Sequence, residues 1–277
     1  MSKDTPQNLK GFRDFLPEEK KIRDNVLENI IKTFETFGFE PVETPTLEYA
    51  SLLLGKYGEE ADKLVYTFKD RGSRKIGLRY DQTVPTARLL AQYGSKLPKF
   101  FRRYQIQSVF RADKPQKGRY REFTQCDIDI FGTNDATSDA ETVACTYFSF
   151  KNLNFPTIKI KINDRQILFD QLKPFTTPKL DIMSIIQTVD KLDKKTVAEV
   201  EAELVKKGLT KETAKKALKQ IKSASPTPNL KEIISLTTAL GVPKDSLVFE
   251  PTLARGLDYY TGMIFEVIIP EIPIGSF

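Results

Sequence analysis

The sequence predicts an α+β protein: an antiparallel β-sheet flanked by helices, with a small helical insertion. Three observations carry this. Residues 104–131 alternate along two strands around a charged turn, Ala112–Arg119. Residues 17–38 repeat apolar side chains at helical spacing. The composition then shifts across 171–243, where strong helix formers and Lys replace the aromatic residues.

Each element follows from local chemistry. Pro17 suits a first helical turn, and Ile22, Leu27, Val26, Ile30, Ile31 and Phe34 make one apolar stripe, with Gly38 as the C-terminal stop. Phe39–Tyr49 is extended, because Pro41 and Pro45 bias the residues before them away from helix. Thr83 is placed to N-cap a helix with Pro85 in its first turn, ending at Gly94. Tyr104, Ile106, Ser108 and Phe110 alternate with Gln105, Gln107, Val109 and Arg111. On the return strand Arg121, Gln125 and Asp129 share one face, and Ile128 and Ile130 the other. A helix over 139–152 and a strand over 157–163 follow. The expected domains are 1–170 and 244–277 as two parts of one catalytic-type body, and 171–243 as the helical insertion.

Composition narrows the chemistry. The 277 residues hold 43 Lys+Arg against 37 Asp+Glu, a formal charge of +6, which permits a polyanionic partner without requiring one. There is no stretch apolar enough for a membrane span and no apolar leader near the N-terminus, so a cytoplasmic protein is expected. Two Cys build no disulfide framework, and the absence of His excludes Cys–His zinc sites and Ser-His-Asp machinery. Reactions must run on Arg, Lys, Asp, Glu, Tyr and Gln.

Three stretches are candidate sites. Arg111, Lys114, Lys117, Arg119 and Arg121 crowd the hairpin tip with one acid, Asp113; guanidinium forks suit phosphate oxygens, although a solvated hairpin end reads the same way. Leu253–Gly262 (LARGLDYYTG) sets Asp258, Tyr259, Tyr260 and Thr261 between two glycines beside Arg255. By itself this is more readily an irregular turn. Leu78–Thr83 (LRYDQT) puts Asp81 just before a helix, where it serves either the helix dipole or a ligand ammonium.

Together these runs resemble a family. FRADKPQKGRYREFTQCDIDIFG (Phe110–Gly132) resembles motif 2 of class II aminoacyl-tRNA synthetases in its histidyl form, LARGLDYYTG the histidine signature, and LRYDQT the amino-group loop. GFRDFLPEE from Gly11 and the Pro45 region resemble the family's N-terminus and motif 1. The resemblance implies the class II fold, a homodimer built on motif 1, and two steps: ATP and histidine give histidyl-adenylate, and the histidyl group then passes to tRNA(His). It implies ATP and Mg²⁺ as cofactors, the Mg²⁺ arriving with ATP.

Residue roles carry over by matching positions. Arg111 is implied to hold the α-phosphate and the amino-acid carboxylate. Asp113 stands near adenine where the family usually has Glu, and Arg119 and Tyr120 match tip residues that meet ATP. Asp81 and Thr83 match the pair around the α-ammonium. Gln125 and Asp129 match side chains that read the ammonium and imidazole, Arg255 resembles the Arg that stands as a cation beside the α-phosphate, and Tyr259 and Tyr260 match the histidine pocket. Arg111 and Arg255 are then the catalytic pair, expected to converge on one phosphorus atom. The Gly-rich strand and motif 3 do not follow Phe277, so an incomplete catalytic core is expected. The alternative is a non-catalytic synthetase-like regulator or sensor. The insertion carries ten Lys against five acidic residues over 191–222; it either holds the tRNA acceptor arm or is a solvated helical face.

Overall fold

The structure, a computed structural model, describes residues 6–55, 63–116, 118–254 and 261–272. The chain forms two compact units, Met1–Asn134 and Asp135–Phe277. The four α-helices between residues 182 and 239 lie in the second unit together with a three-stranded sheet. Among the described residues no helix is long and apolar enough to cross a membrane.

The first unit opens with the helix Pro17–Thr36. Pro17 sits in its first turn with Glu18 and Glu19, which favour the positive end of the helix dipole. Gly38 follows at φ +75°, the left-handed turn that releases the chain. The stripe is buried only toward its end, where the Phe34 ring meets Phe39 and Tyr104 at centroid distances of 6.4 and 5.8 Å. Its beginning differs from the sequence expectation: Ile22 is 67% exposed and Val26 37%.

Two small sheets follow. In the first, β1 (Glu40–Pro41) runs parallel to β5 (Phe101–Phe110), and β5 pairs antiparallel with β6 (Glu122–Phe131). This is the hairpin read from the alternation. Its register sets Arg103 opposite Asp129, Gln105 opposite Asp127 and Gln107 opposite Gln125. Gly132 closes β6 at φ +93°, where a Cβ would lie 1.9 Å from the Lys99 carbonyl oxygen, so only glycine fits. In the second sheet β4 (Lys75–Leu78) lies between β2 (Leu47–Tyr49) and β3 (Thr67–Lys69). The Phe110 N–H donates to the Arg79 carbonyl at 3.0 Å and ties the end of β5 to the segment after β4.

The helix Thr83–Tyr93 starts where expected, with a different cap. Thr83 is its first helical residue and Gln82 occupies the N-cap position without a side-chain bond; Asp81 Oδ1 instead accepts from the Val84 N–H at 3.2 Å. Gly94 continues into a short 3₁₀ turn, Gly94–Lys96.

In the second unit β7 (Lys159–Asp164) lies between β8 (Leu247–Phe249), to which it is parallel, and β9 (Met263–Ile268), to which it is antiparallel. The helix Ala136–Asn152 starts earlier than the sequence suggested, because the Asp135 side chain accepts from the Thr137 N–H at 2.8 Å and caps it. Those four helices are Ile182–Val189, Val197–Lys206, Lys211–Lys222 and Pro228–Ala239. Asp181, Thr196, Thr210 and Thr227 each cap one of them through a side-chain oxygen.

Candidate active site

The alternation of β6 decides the site. Residues 123, 125, 127 and 129 point to one face of the hairpin, together with Arg103, Gln105 and Gln107 of β5. A buried polar layer underlies this face. Arg79 donates from Nε to the Ser108 carbonyl at 2.6 Å and from Nη1 to the Thr44 carbonyl at 2.9 Å and Gln107 Oε1 at 3.0 Å. Gln105 Nε2 donates to Thr44 Oγ1 at 2.8 Å, and Arg103 Nη1 to Gln105 Oε1 at 3.1 Å. The layer stiffens the strand that carries the site, because each of these buried groups holds its neighbour in place.

Arg111 follows directly after β5. Its N–H donates to the Arg121 carbonyl at 2.8 Å and its Nε to the Tyr80 carbonyl at 3.1 Å. The guanidinium lies 4.4 Å from the Tyr80 ring centroid and 5.1 Å from that of Phe123. Two aromatic faces and one carbonyl thus aim a planar cation. The Tyr80 hydroxyl is raised in pKa by burial; Arg111 and Arg119 oppose that shift, and Asp113 and Asp81 add to it. Four residues expected in the site therefore act on one phenol.

Farther along the face, Arg103 pairs with Asp129. Arg103 is 1% exposed and the Asp129 side chain 40%. Asp129 is raised in pKa by loss of hydration against the sheet, with Arg103 pulling the other way. Between Gln125 and Asp129 lies Asp127, whose Oδ1 accepts from Gln125 Nε2 at 3.4 Å. Burial pushes the Asp127 carboxyl up to about 7; Arg103 and Arg111 lower it, and Asp129 and Asp81 raise it further. Asp127 thus lies in the field of two further carboxyls, Asp129 and Asp81, and of two guanidiniums, Arg103 and Arg111. Gln82 Nε2 bonds the carbonyls of Gln107 and Gln125 at 3.1 and 3.2 Å, and the Oε1 atoms of Gln82 and Gln125 are buried without a hydrogen-bond partner among the described residues.

Of the expected residues, the fold thus gathers Asp81, Arg111, Gln125 and Asp129, with Asp113 and Arg119 close enough to act on Tyr80. Thr83 is exposed on the first turn of its helix. The Tyr120 ring is covered by the Arg13 guanidinium, 3.3 Å from its centroid. Arg121 does not join Gln125 and Asp129 on the strand face. It precedes β6, and its guanidinium donates to the carbonyls of Asp113 (3.0 Å) and Lys10 (3.3 Å). Gly11 makes that contact possible: its carbonyl accepts from the Arg121 N–H at 2.9 Å, and a Cβ at its φ of +92° would meet the Arg121 and Pro115 side chains at 2.9 Å.

Arg255, Tyr259 and Tyr260, and with them the expected convergence of Arg111 and Arg255, lie outside the described residues, as does Lys117. Both approaches to the 255–260 stretch are fixed within the second unit. Buried Asn163 donates from Nδ2 to the carbonyls of Pro251 (3.0 Å) and Leu253 (2.9 Å), and the Arg165 N–H donates to the Gly262 carbonyl at 3.0 Å. Among the described residues no group of three or more His, Cys, Asp and Glu side chains could hold a metal ion.

Sequence reasoning passed over Asp127, Gln82 and Arg103. Asp127 was within reach, since it shares the parity of Gln125 and Asp129. Arg103 required the strand register, and Gln82 the hydrogen bonds to β5 and β6.

The chain matches a family model described as histidyl-tRNA synthetase over residues 11–274. It is 37% identical to the histidine–tRNA ligase of Treponema denticola across 98% of this chain and 65% of that protein. The crystal structure of histidyl-tRNA synthetase from Nostoc sp. PCC 7120 superposes with a TM-score of 0.82 at 29% identity, covering 95% of this chain and 65% of that one. A Bacillus halodurans structure titled ATP phosphoribosyltransferase regulatory subunit/histidyl-tRNA synthetase gives a TM-score of 0.77 at 20% identity over 96% of this chain and 73% of that one, a likeness of fold alone. The chain spans about 65% of the length of the curated relatives it matches.

Proposed function

We propose that this chain, which belongs to the histidyl-tRNA synthetase family, carries the amino-acid-activating core of a histidine–tRNA ligase. In this reading histidine and ATP give histidyl-adenylate and pyrophosphate, and the histidyl group then passes to tRNA(His). The working unit is a cytoplasmic homodimer, and Mg²⁺ accompanies the ATP phosphates, as a hard cation that prefers oxygen ligands and keeps much of its water.

The observation that carries the reading is the face of β5 and β6. One guanidinium, Arg111, is held by aromatic rings and a carbonyl within the electrostatic reach of Asp127, which Asp81 also reaches. That arrangement matches the two charges of an α-amino acid. Attack of the substrate carboxylate on the α-phosphorus builds negative charge on the phosphoryl oxygens. A fixed cation stabilises it where it develops. The attacking carboxylate is already ionised, so no general base is needed and a chain without His is equipped for the step. Asp113, Arg119 and Tyr120 belong to the ATP end of this reading, Thr83 to the ammonium end. The family resemblance gives Arg255 the role of second cation and Tyr259 and Tyr260 that of histidine-pocket residues. Asp129, fixed by Arg103, is the imidazole reader: a buried polar pocket rejects side chains that cannot answer its hydrogen bonds.

ATP–pyrophosphate exchange by the whole protein, run with each of the twenty amino acids, tests this. Exchange with histidine alone is expected. Silence with histidine contradicts the ligase and favours a non-catalytic regulator or sensor.

A further inference from the structure

We propose that Arg13 is a positioning residue for ATP, acting through the Tyr120 ring that it covers; this rests on the reading of the hairpin tip as the ATP end of the site.

The tip needs an anchor outside itself. The paired strands end at Phe110 opposite Glu122, with one further bond from the Arg111 N–H to the Arg121 carbonyl. Beyond it the turn is closed by two backbone bonds that Gln116 and Arg119 exchange at 3.1 and 2.9 Å. A turn held only at its base swings as a unit. Groups that meet a nucleotide must instead be held to within about 0.5 Å.

The two arms of the tip find their anchors in different places. On the first arm the Ala112 N–H donates to the Leu64 carbonyl at 2.8 Å. The returning arm, which carries Arg119 and Tyr120, rests on the N-terminal segment. The Arg121 N–H donates to the Gly11 carbonyl at 2.9 Å, and its guanidinium to the Lys10 carbonyl at 3.3 Å. Two residues on from Gly11, the Arg13 guanidinium lies 3.3 Å from the Tyr120 ring centroid. The contacts continue to regular structure. Arg13 is 5.0 Å from the Phe15 ring, and Arg23 is 3.9 Å from the same ring. Arg23 Nη2 donates to Thr124 Oγ1 at 3.1 Å. Arg23 belongs to the helix Pro17–Thr36 and Thr124 to β6. Two guanidiniums and one ring thus refer Tyr120 to a helix and to the strand that carries Gln125. Arg13 is exposed and Tyr120 only half-buried, so their contact adds little to the core. Its consequence is where the ring stands, and a planar guanidinium over an aromatic face sets that directly.

ATP–pyrophosphate exchange with histidine by the whole protein tests the proposal. Arg13→Ala is expected to raise the KM for ATP about three- to tenfold, while the KM for histidine changes less than about twofold. Tyr120→Leu is expected to raise the KM for ATP as well. Adding Arg13→Ala to it should then raise that KM less than about twofold more, because the ring through which Arg13 acts is already gone. An unchanged KM for ATP in either single variant, an equal rise for both substrates, or factors that multiply in the double variant overturn the proposal and leave the site reading standing. Should Arg13→Ala not fold, Arg13→Gln is read against the same outcomes. Absence of exchange by the unmodified protein removes the site reading, and the proposal with it.

Discussion

Two charged clusters in this protein follow opposite rules. Among the helices of residues 182–239, Glu203 accepts from Lys191 and from Lys195 at 3.1 Å, with Lys207 at 4.0 Å. Lys207 also donates to Ser184 Oγ and Thr188 Oγ1 at 3.2 and 2.9 Å. The hydrogen bonds from Lys191 and Lys195 hold the Glu203 carboxyl down to about 2. On the hairpin face burial drives Asp127 and Asp129 upward, and the Gln82 and Gln125 amide oxygens lack partners among the described residues. The first cluster satisfies its own charges and serves the fold. The second makes ionisation of its acids costly, the pattern expected where a charged ligand binds.

The largest test of that contrast removes Arg103. Replacing it with Met leaves Asp127 and Asp129 facing one another without their shared cation. A loss of about 2–3 kcal/mol at neutral pH, less than for a fully buried pair because water reaches Asp129, is expected in urea unfolding. The loss should shrink near pH 5, where both acids keep their protons more readily. A pH-independent loss would mean that Arg103 contributes packing alone.

Asp127→Asn should act in the reverse direction. Native Asp127 holds its proton up to about pH 7, whereas the unfolded carboxyl releases it near 3.8. The native state therefore binds more protons across that window, and stability falls as pH rises through it. The Asn variant, free of this penalty, should be more stable than the parent above pH 7 by about 1–2 kcal/mol, and no more stable below about pH 4. Thermal unfolding at the two ends of the range checks this. A variant that is less stable at high pH would assign Asp127 to the fold.

Glu203→Gln sharpens the other side by a smaller amount. Its lowered pKa contributes stability above the ordinary 4.5, lost as pH falls toward 2. A cost of about 1 kcal/mol at neutral pH, vanishing by about pH 2, is expected from the urea midpoint. An unchanged midpoint would show that the lysines find other partners.

Much of this was legible in the residues. The alternation of Tyr104–Arg111 and Tyr120–Phe131 set the hairpin and the face of Gln125 and Asp129, because side chains on a strand have a fixed period of two. Pro17 and Gly38 marked the first helix for equally local reasons. What stayed hidden depended on register and on distant segments. The partnership of Arg103 with Asp129 requires the pairing of β5 with β6. Arg121 carries the parity of the site, yet it bonds Lys10 and Asp113 because the Gly11 backbone passes beside it, and no local pattern announces that approach. The cap at Asp81 instead of Thr83 is a one-turn choice among polar residues that all could cap.

The account rests most heavily on Arg111 as the anchor for an amino-acid carboxylate. Calorimetric titration of histidine into the unmodified protein and into Arg111→Ala tests it directly. Saturable binding with one histidine per chain, weakened at least about a hundredfold by the substitution, is the predicted result. Histidine binding that survives Arg111→Ala unchanged would contradict it.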